Sequence, residues 1–241
     1  MEKLFKTIDE QLDILKGKGL IIEDEALARE ILLRENYFFI NGYRILLMNS
    51  YRNKSRRVKD VIEKMKRQIR VNGAHHMATM HYMNNYGYIP LWVLVKVLSF
   101  GIVTELYLIL KPEDQVAIAD IFGMNTNYLE NFLPILSNYR NLCAHEDIVY
   151  EHRSESVILN TPYHEKLSIP RMDDEYIYGK NDVFSVMIMM KYLLRSDDFR
   201  MMMREIEYEI EKLDGAIDSI PIEKILDRMG IPEDYMDLVN M

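Results

Sequence analysis

The chain has 241 residues, 30 Lys and Arg against 38 Asp and Glu for a formal charge of −8, and 49% apolar residues. That balance excludes a disordered acidic tail and supplies enough apolar surface for a core without disulfide or metal staples. The single Cys143 rules out an intramolecular disulfide, and a free thiol beside 17 Met suits the reducing cytoplasm.

The N-terminus alternates charged and apolar side chains and lacks the unbroken apolar run of a secretory signal. Thr7 and Glu10 have capping-box spacing, and Gly17-Lys18-Gly19 stops the helix they open. Asp24 is placed to cap a second helix with Leu27, Ala28, Ile31 and Leu32 on one face. The aromatic segment from Asn36 to Tyr43 then anchors these helices on the core. From Arg56 to Arg70 the residues Val58, Ile62, Met65 and Ile69 recur at intervals of four, three and four. They predict an amphipathic helix with Lys59, Glu63, Lys66 and Arg70 on its other side.

Ile89 to Leu110 has the length of a membrane span, but Lys96, Glu105 and the Ser99-Phe100-Gly101 break are costly or awkward in lipid. A buried central helix or helix pair is expected instead, with no membrane partner. After Lys111-Pro112 a helix runs from Glu113 to Ile121 and ends at Phe122-Gly123; Asn127 to about Tyr150 follows. Glu151 to Asn181, with Pro162, Pro170 and Gly179, shows no clean periodicity and reads as a long loop with room for a short hairpin. Helices resume at Asp182, where Phe184 to Leu194 is apolar nearly all round, and at Ser196, where Phe199, Met203, Ile206, Ile210 and Leu213 form one stripe. Pro221 and Gly230 bracket a last helix. The fold class expected is all-α, with an N-terminal segment 1–55, a helical core 56–195 carrying the loop 151–181, and acidic C-terminal helices 196–241.

Charge is strongly segregated. Between Arg44 and Arg70 ten basic residues face only Asp60 and Glu63, a local charge of +8, so the rest of the chain carries −16. Arg52, Lys54, Arg56, Arg57, Lys59, Lys66, Arg67 and Arg70 are candidate RNA contacts, because a local basic patch gains from counterion release even on an acidic protein. His81 and its neighbour Tyr82 join them. The other reading is a solvated basic face, or one that pairs with the acidic C-terminal region.

On a helical wheel, Leu129, Phe132, Ile135, Leu136, Tyr139, Leu142 and Cys143 fall in one sector. Glu130, Pro134, Ser137, Asn138, Asn141, Ala144 and His145 fall in the other, with Arg140 at its edge. An arginine offers a planar fork of donors to phosphate oxygens, an imidazole exchanges a proton near neutral pH, and an amide orients either. Arg140, Asn141 and His145 are thus the minimum set for phosphodiester cleavage, in which the 2′-hydroxyl of RNA acts as nucleophile. The alternative is that Arg140 pairs with Glu146 or Asp147 and His145 is a surface histidine.

The string Tyr139-Arg140-Asn141-Leu142-Cys143-Ala144-His145 resembles the R-N-x-x-A-H signature of the Abi-like (abortive infection) bacterial family, part of the HEPN superfamily with its R-x4-6-H motif. Asp9 to Asp24, the Asn41-Gly42-Tyr43 element, Pro90-Leu91-Trp92-Val93 and Leu98-Ser99-Phe100-Gly101 resemble further family segments. Glu146 and Lys96 depart from the family pattern. The resemblance implies a HEPN-type helical bundle and a metal-independent endoribonuclease of phage defence, its site formed where two motifs meet across a homodimer. Arg140 would then stabilise the phosphate, His145 would do acid/base work, and Asn141 would support them. A non-catalytic RNA-binding or toxin-antitoxin assembly protein, held by an inhibitory RNA or protein, is the other function it allows.

No cofactor or metal is expected. The histidines lack H-E-x-x-H or Cys-rich spacing, and Gly17-Lys18-Gly19 lacks the length of a phosphate-binding loop. Cys143 and His145 lie about 160° apart on the wheel, which argues against a Cys-His pair and assigns Cys143 to the core.

Overall fold

A computed structural model of the chain describes residues 8–17, 19, 21–29, 56–86 and 89–241. Thr7 and the stretch 30–55, which includes the aromatic segment, Arg52 and Lys54, lie outside the described residues. Among the described residues regular structure is helical apart from one small hairpin, so the chain is all-α. It divides into two units, 1–111 and 112–241.

In the first unit, α1 (Ile8–Gly17) ends where the glycines foretold, with the Gly19 N–H bonded to the Lys16 carbonyl at 2.9 Å. Asp24 caps the next turn by accepting the Leu27 N–H at 2.9 Å. Leu12 and Leu15 are buried there with Ile8, Ile14, Ile22 and Ala28 around them. Leu27, expected on the packed face, is 52% exposed, because Ala28 takes the inward position against α1.

The amphipathic helix α2 (Arg56–Asn72) buries Val58, Val61, Ile62 and Met65. These pack with side chains from α3 (Met77–Tyr86), α4 (Leu91–Leu94) and α5 (Phe100–Tyr107), among them Val93, Leu94, Ile102 and Leu106. Each such side chain contributes about 1.5–3 kcal/mol relative to leaving it in water. The expected central apolar stretch is a helix pair. Pro90 opens α4, and the Ser99 hydroxyl caps α5 by accepting the Ile102 N–H at 3.4 Å. Glu105, the acid within that stretch, meets Lys64 of α2 at 2.5 Å. No helix among the described residues is long and apolar enough to cross a membrane.

The second unit contains α6 (Pro112–Ile121), α7 (Thr126–Ala144), α8 (Pro162–Lys166), strands β1 (Arg171–Met172) and β2 (Glu175–Tyr176), then α9 (Val183–Leu193), α10 (Ser196–Asp214) and α11 (Ile222–Met229). Helix α9 touches both α7 and α10, which is why its sequence is apolar nearly all round. Phe132 from α7, Phe184 and Ile188 from α9, and Met203 from α10 are sealed from solvent. The region read as a long loop holds the foreseen hairpin and also α8. Asp173 and Asp174 both take positive φ, 51° and 65°, as a two-residue turn between twisted antiparallel strands requires.

Two buried polar side chains organise that region. The Asp182 carboxylate accepts the Ser185 N–H at 2.9 Å, capping α9, and the Gly179 N–H at 2.9 Å. It is 1% exposed, and burial pushes its pKa up to about 6. His164 is fully buried, with Nδ1 accepting the Thr161 N–H at 3.0 Å, so Nε2 carries the proton and donates to the Gly179 carbonyl at 2.9 Å. Burial pushes its pKa down. Gly230 ends α11 at φ +74°, and its missing Cβ leaves the space that the Asp182 side chain fills.

Gly230→Ala is therefore expected to destabilise the protein by more than the about 1–2 kcal/mol of a left-handed backbone alone, as read by denaturant midpoint. The Asp182 carboxyl keeps its proton to about pH 6 in the native state and releases it near 3.8 when unfolded. Its contribution is therefore complete below about pH 4 and is lost as pH rises through about 6. Asp182→Asn removes this dependence. The stability difference between wild type and variant should shift by about 3 kcal/mol across the window, a comparison that also cancels the opposite titration of His164.

Candidate functional site: the C-terminal turns of helix α7

Helix α7 starts at Asn125, whose Oδ1 accepts the Asn127 N–H at 2.8 Å, and its 19 residues span roughly 28 Å. Leu129, Phe132, Ile135, Leu136 and Tyr139 are buried, whereas Pro134, Asn138, Arg140, Asn141, Ala144 and His145 are exposed. Two residues depart from the wheel. Ser137 is buried on the side expected to be open; a side chain so small is covered by any neighbour leaning over the helix edge. Cys143, expected in the core, is exposed. It lies in the final turn, where the helix runs past the packed layer and angular position no longer implies burial.

The helix closes on a Schellman motif. His145 is the capping residue, its N–H bonded to the Asn141 carbonyl at 3.0 Å. Glu146 turns to φ +56°, its N–H 3.4 Å from the Cys143 carbonyl, and the Asp147 N–H reaches the Leu142 carbonyl at 3.0 Å. Glycine is the usual residue at this left-handed position, so Glu146 holds it at a cost of about 1 kcal/mol. The turn leaves the His145 side chain at the lip of the helix.

Arg140 Nη1 donates to Asn141 Oδ1 at 3.3 Å, and no carboxylate among the described residues lies within ion-pair distance of this guanidinium. Neither Glu146 nor Asp147 neutralises it. The buried Tyr139 hydroxyl next to it donates to the Asn181 carbonyl at 2.7 Å, with the His152 carbonyl 3.3 Å away. Burial raises the pKa of this phenol, so it remains a donor.

Two further residues belong to this surface, Asn138 by its helical spacing and His152 by tertiary structure alone. Asn138, Asn141 and His145 are spaced three and four apart and form a stripe within about 60° on the wheel. His152, brought back by the loop after α7, sets Nε2 2.9 Å from Asn138 Oδ1 and its ring edge-on to Tyr139 at 5.1 Å. The amide oxygen can only accept, so the His152 proton is on Nε2. A second imidazole thus adjoins the stripe, at a sequence separation that only tertiary structure explains.

Of the basic candidates, Arg56, Arg57, Lys59, Arg67 and Arg70 are exposed on α2. The Lys66 side chain is 14% exposed, with Nζ 3.0 Å from Glu63. His81 is exposed on α3, its Nδ1 3.2 Å from the Asn85 side-chain nitrogen. A cleft of about 570 Å3 opens near the start of α7, lined by Asn127, Tyr128, Ile158, Asn160 and Lys180 among others. Arg140, Asn141 and His145 are not among its walls.

Tyr139→Phe keeps the packing of the ring and removes one of two donors to the Asn181 carbonyl, which retains the Ser154 N–H at 2.8 Å. It should cost about 1 kcal/mol of stability in chemical denaturation and loosen residues 150–154, visible as faster amide exchange. Glu146→Gly should instead stabilise by about 1 kcal/mol.

No curated protein and no solved structure matches this chain. The family model of Abi-like proteins matches residues 30–151, which include α2, the helix pair and the Arg140 to His145 segment. This is just over half of the 241 residues. The chain belongs to the Abi-like protein family.

Proposed function

We propose that this chain is a metal-independent endoribonuclease of the HEPN type that acts in bacterial abortive infection. One observation carries the reading: Arg140, Asn141 and His145 are all exposed on one side of a well-anchored helix, and no carboxylate among the described residues pairs with the arginine. Arginine without an acidic partner suits phosphate, and a neighbouring imidazole suits proton transfer.

In the proposed reaction the ribose 2′-oxygen attacks phosphorus. The 2′-O–P bond forms, the bond from phosphorus to the 5′-oxygen breaks, one imidazole takes the 2′-proton and another protonates the leaving 5′-oxygen. The products are a 2′,3′-cyclic phosphate and a 5′-hydroxyl. Arg140 holds the nonbridging oxygens as charge builds on them, a contribution of about 3 kcal/mol for one preorganised donor. Asn141 orients Arg140. The residues stand on open surface, where water weakens electrostatic stabilisation, so the reading includes a second copy that covers the site and supplies a second His145 by two-fold symmetry. A cytoplasmic location and control by an inhibitory RNA or protein belong to the same proposal.

The test is incubation of RNA with purified protein in EDTA, followed by gel and end-group analysis. Cleavage with cyclic-phosphate ends is expected. Arg140→Ala and His145→Ala should each reduce it by about 10²-fold or more, while circular dichroism shows unchanged helicity. Full activity in both variants would remove these residues from catalysis. RNA binding without any cleavage would assign the chain to the non-catalytic alternative.

A further inference from the structure

The first unit carries an aromatic cluster that the cleavage reading leaves unused. Tyr82 lies at its centre, with ring centroids 5.5 Å from His81, 5.4 Å from Tyr86 and 5.5 Å from Trp92. The contacts to His81 and Trp92 are edge-to-face, at 85° and 89°, which fixes the rings relative to one another. Tyr82 is anchored below, packed against the apolar cluster shared by α2, α4 and α5. Above it, Trp92 and Tyr86 are each 56% exposed. Lys96 holds its ammonium 5.7 Å from the Trp92 ring centroid.

We propose that His81, Tyr86 and Trp92, with Lys96, form a stacking platform for the unpaired bases of single-stranded RNA. This rests on the reading of RNA as the substrate and adds to it the class of RNA. Three features favour a nucleic acid over a protein partner. Rings held rigid by one another lose little entropy when a base stacks on them, and every base offers a π-face, so such a platform is tolerant of sequence. A cation over the exposed indole, 5.7 Å from its centroid, suits a phosphate next to a stacked base. The same unit also presents Arg56, Arg57, Lys59, Arg67 and Arg70 on α2, which packs on the same apolar cluster as the platform. Bases within a duplex have both faces covered by their neighbours, so the platform discriminates against double strands.

Trp92 is the chain's one tryptophan, which makes its emission a direct reporter. The experiment titrates the full-length protein with a 2′-O-methyl oligonucleotide of about 12 nucleotides, within the usual site size for single strands, which lacks the nucleophile and cannot be cut by the proposed route. Saturable quenching of Trp92 is expected with the single strand and not with a duplex of the same sequence. In anisotropy with a labelled single strand, Trp92→Leu should weaken binding roughly tenfold or more, and Trp92→Phe less.

Binding that saturates without quenching, equal affinity in Trp92→Leu, or equal quenching by duplex overturns the proposal. So does an emission shift that follows protein concentration alone, which would give the patch to a second copy of the chain. Cleavage plays no part in this readout. Quenching with no cleavage in the EDTA test keeps the platform and removes the nuclease; cleavage without quenching does the reverse.

Discussion

The Tyr139 phenol donates to the Asn181 carbonyl from inside the second unit, and the orientation of the candidate site follows from that bond. A helix is rigid about its own axis, so fixing one side chain inward fixes the direction of the others at 100° per residue. With Tyr139 held in the core beside Ile135 and Leu136, Arg140 must leave at the helix edge, and Asn141 and His145 must face out. The same hydroxyl lies against the backbone of the loop after α7, and His152 of that loop reaches Asn138. One buried donor therefore sets both the display of the motif and the path of the chain beyond it.

That path is held not by a sheet but by side chains and two backbone bonds, from the Ser154 N–H to the Asn181 carbonyl at 2.8 Å and from the Ile158 N–H to the Lys180 carbonyl at 2.7 Å. Asn131 donates to the Val157 carbonyl at 3.0 Å and accepts the Leu159 N–H at 2.8 Å, so one amide does the work of a missing strand. Tyr128 bonds the Asn160 carbonyl at 3.0 Å, and Lys180 reaches Asn160 Oδ1 at 2.5 Å. Asp182 and His164 supply the deepest of these bonds. Backbone groups buried without a partner cost about 1–3 kcal/mol each, which explains why a segment with no periodicity still follows a defined course.

The two units carry different chemistry. The first bears the basic helix α2 and the aromatic cluster around Tyr82, on which the proposed RNA platform rests. The second bears the exposed Arg140, Asn141 and His145 surface, on which the proposed cleavage rests. Membership of the Abi-like family spans residues of both. Glu146 occupies a left-handed cap where glycine would be easier, a local strain next to His145 of the kind that concentrates at functional sites.

Much of this was legible in the sequence because its causes are local. The Asp24 cap, the Ser99-Phe100-Gly101 break, the helix start at Asp182, the Pro221 and Gly230 bracket and the four-three rhythm of α2 act over a single turn, and each marks an element that the structure contains. The outward face of Arg140, Asn141 and His145 was readable for the same reason. Where tertiary contacts decide, the sequence was silent or misleading. Cys143 sits on the apolar side of the wheel yet faces solvent, Ser137 does the opposite, and the approach of His152 to Asn138 spans 14 residues with no repeat to announce it. Helical periodicity fixes the direction in which a side chain leaves its own helix; whether anything waits there to cover it depends on elements elsewhere in the chain.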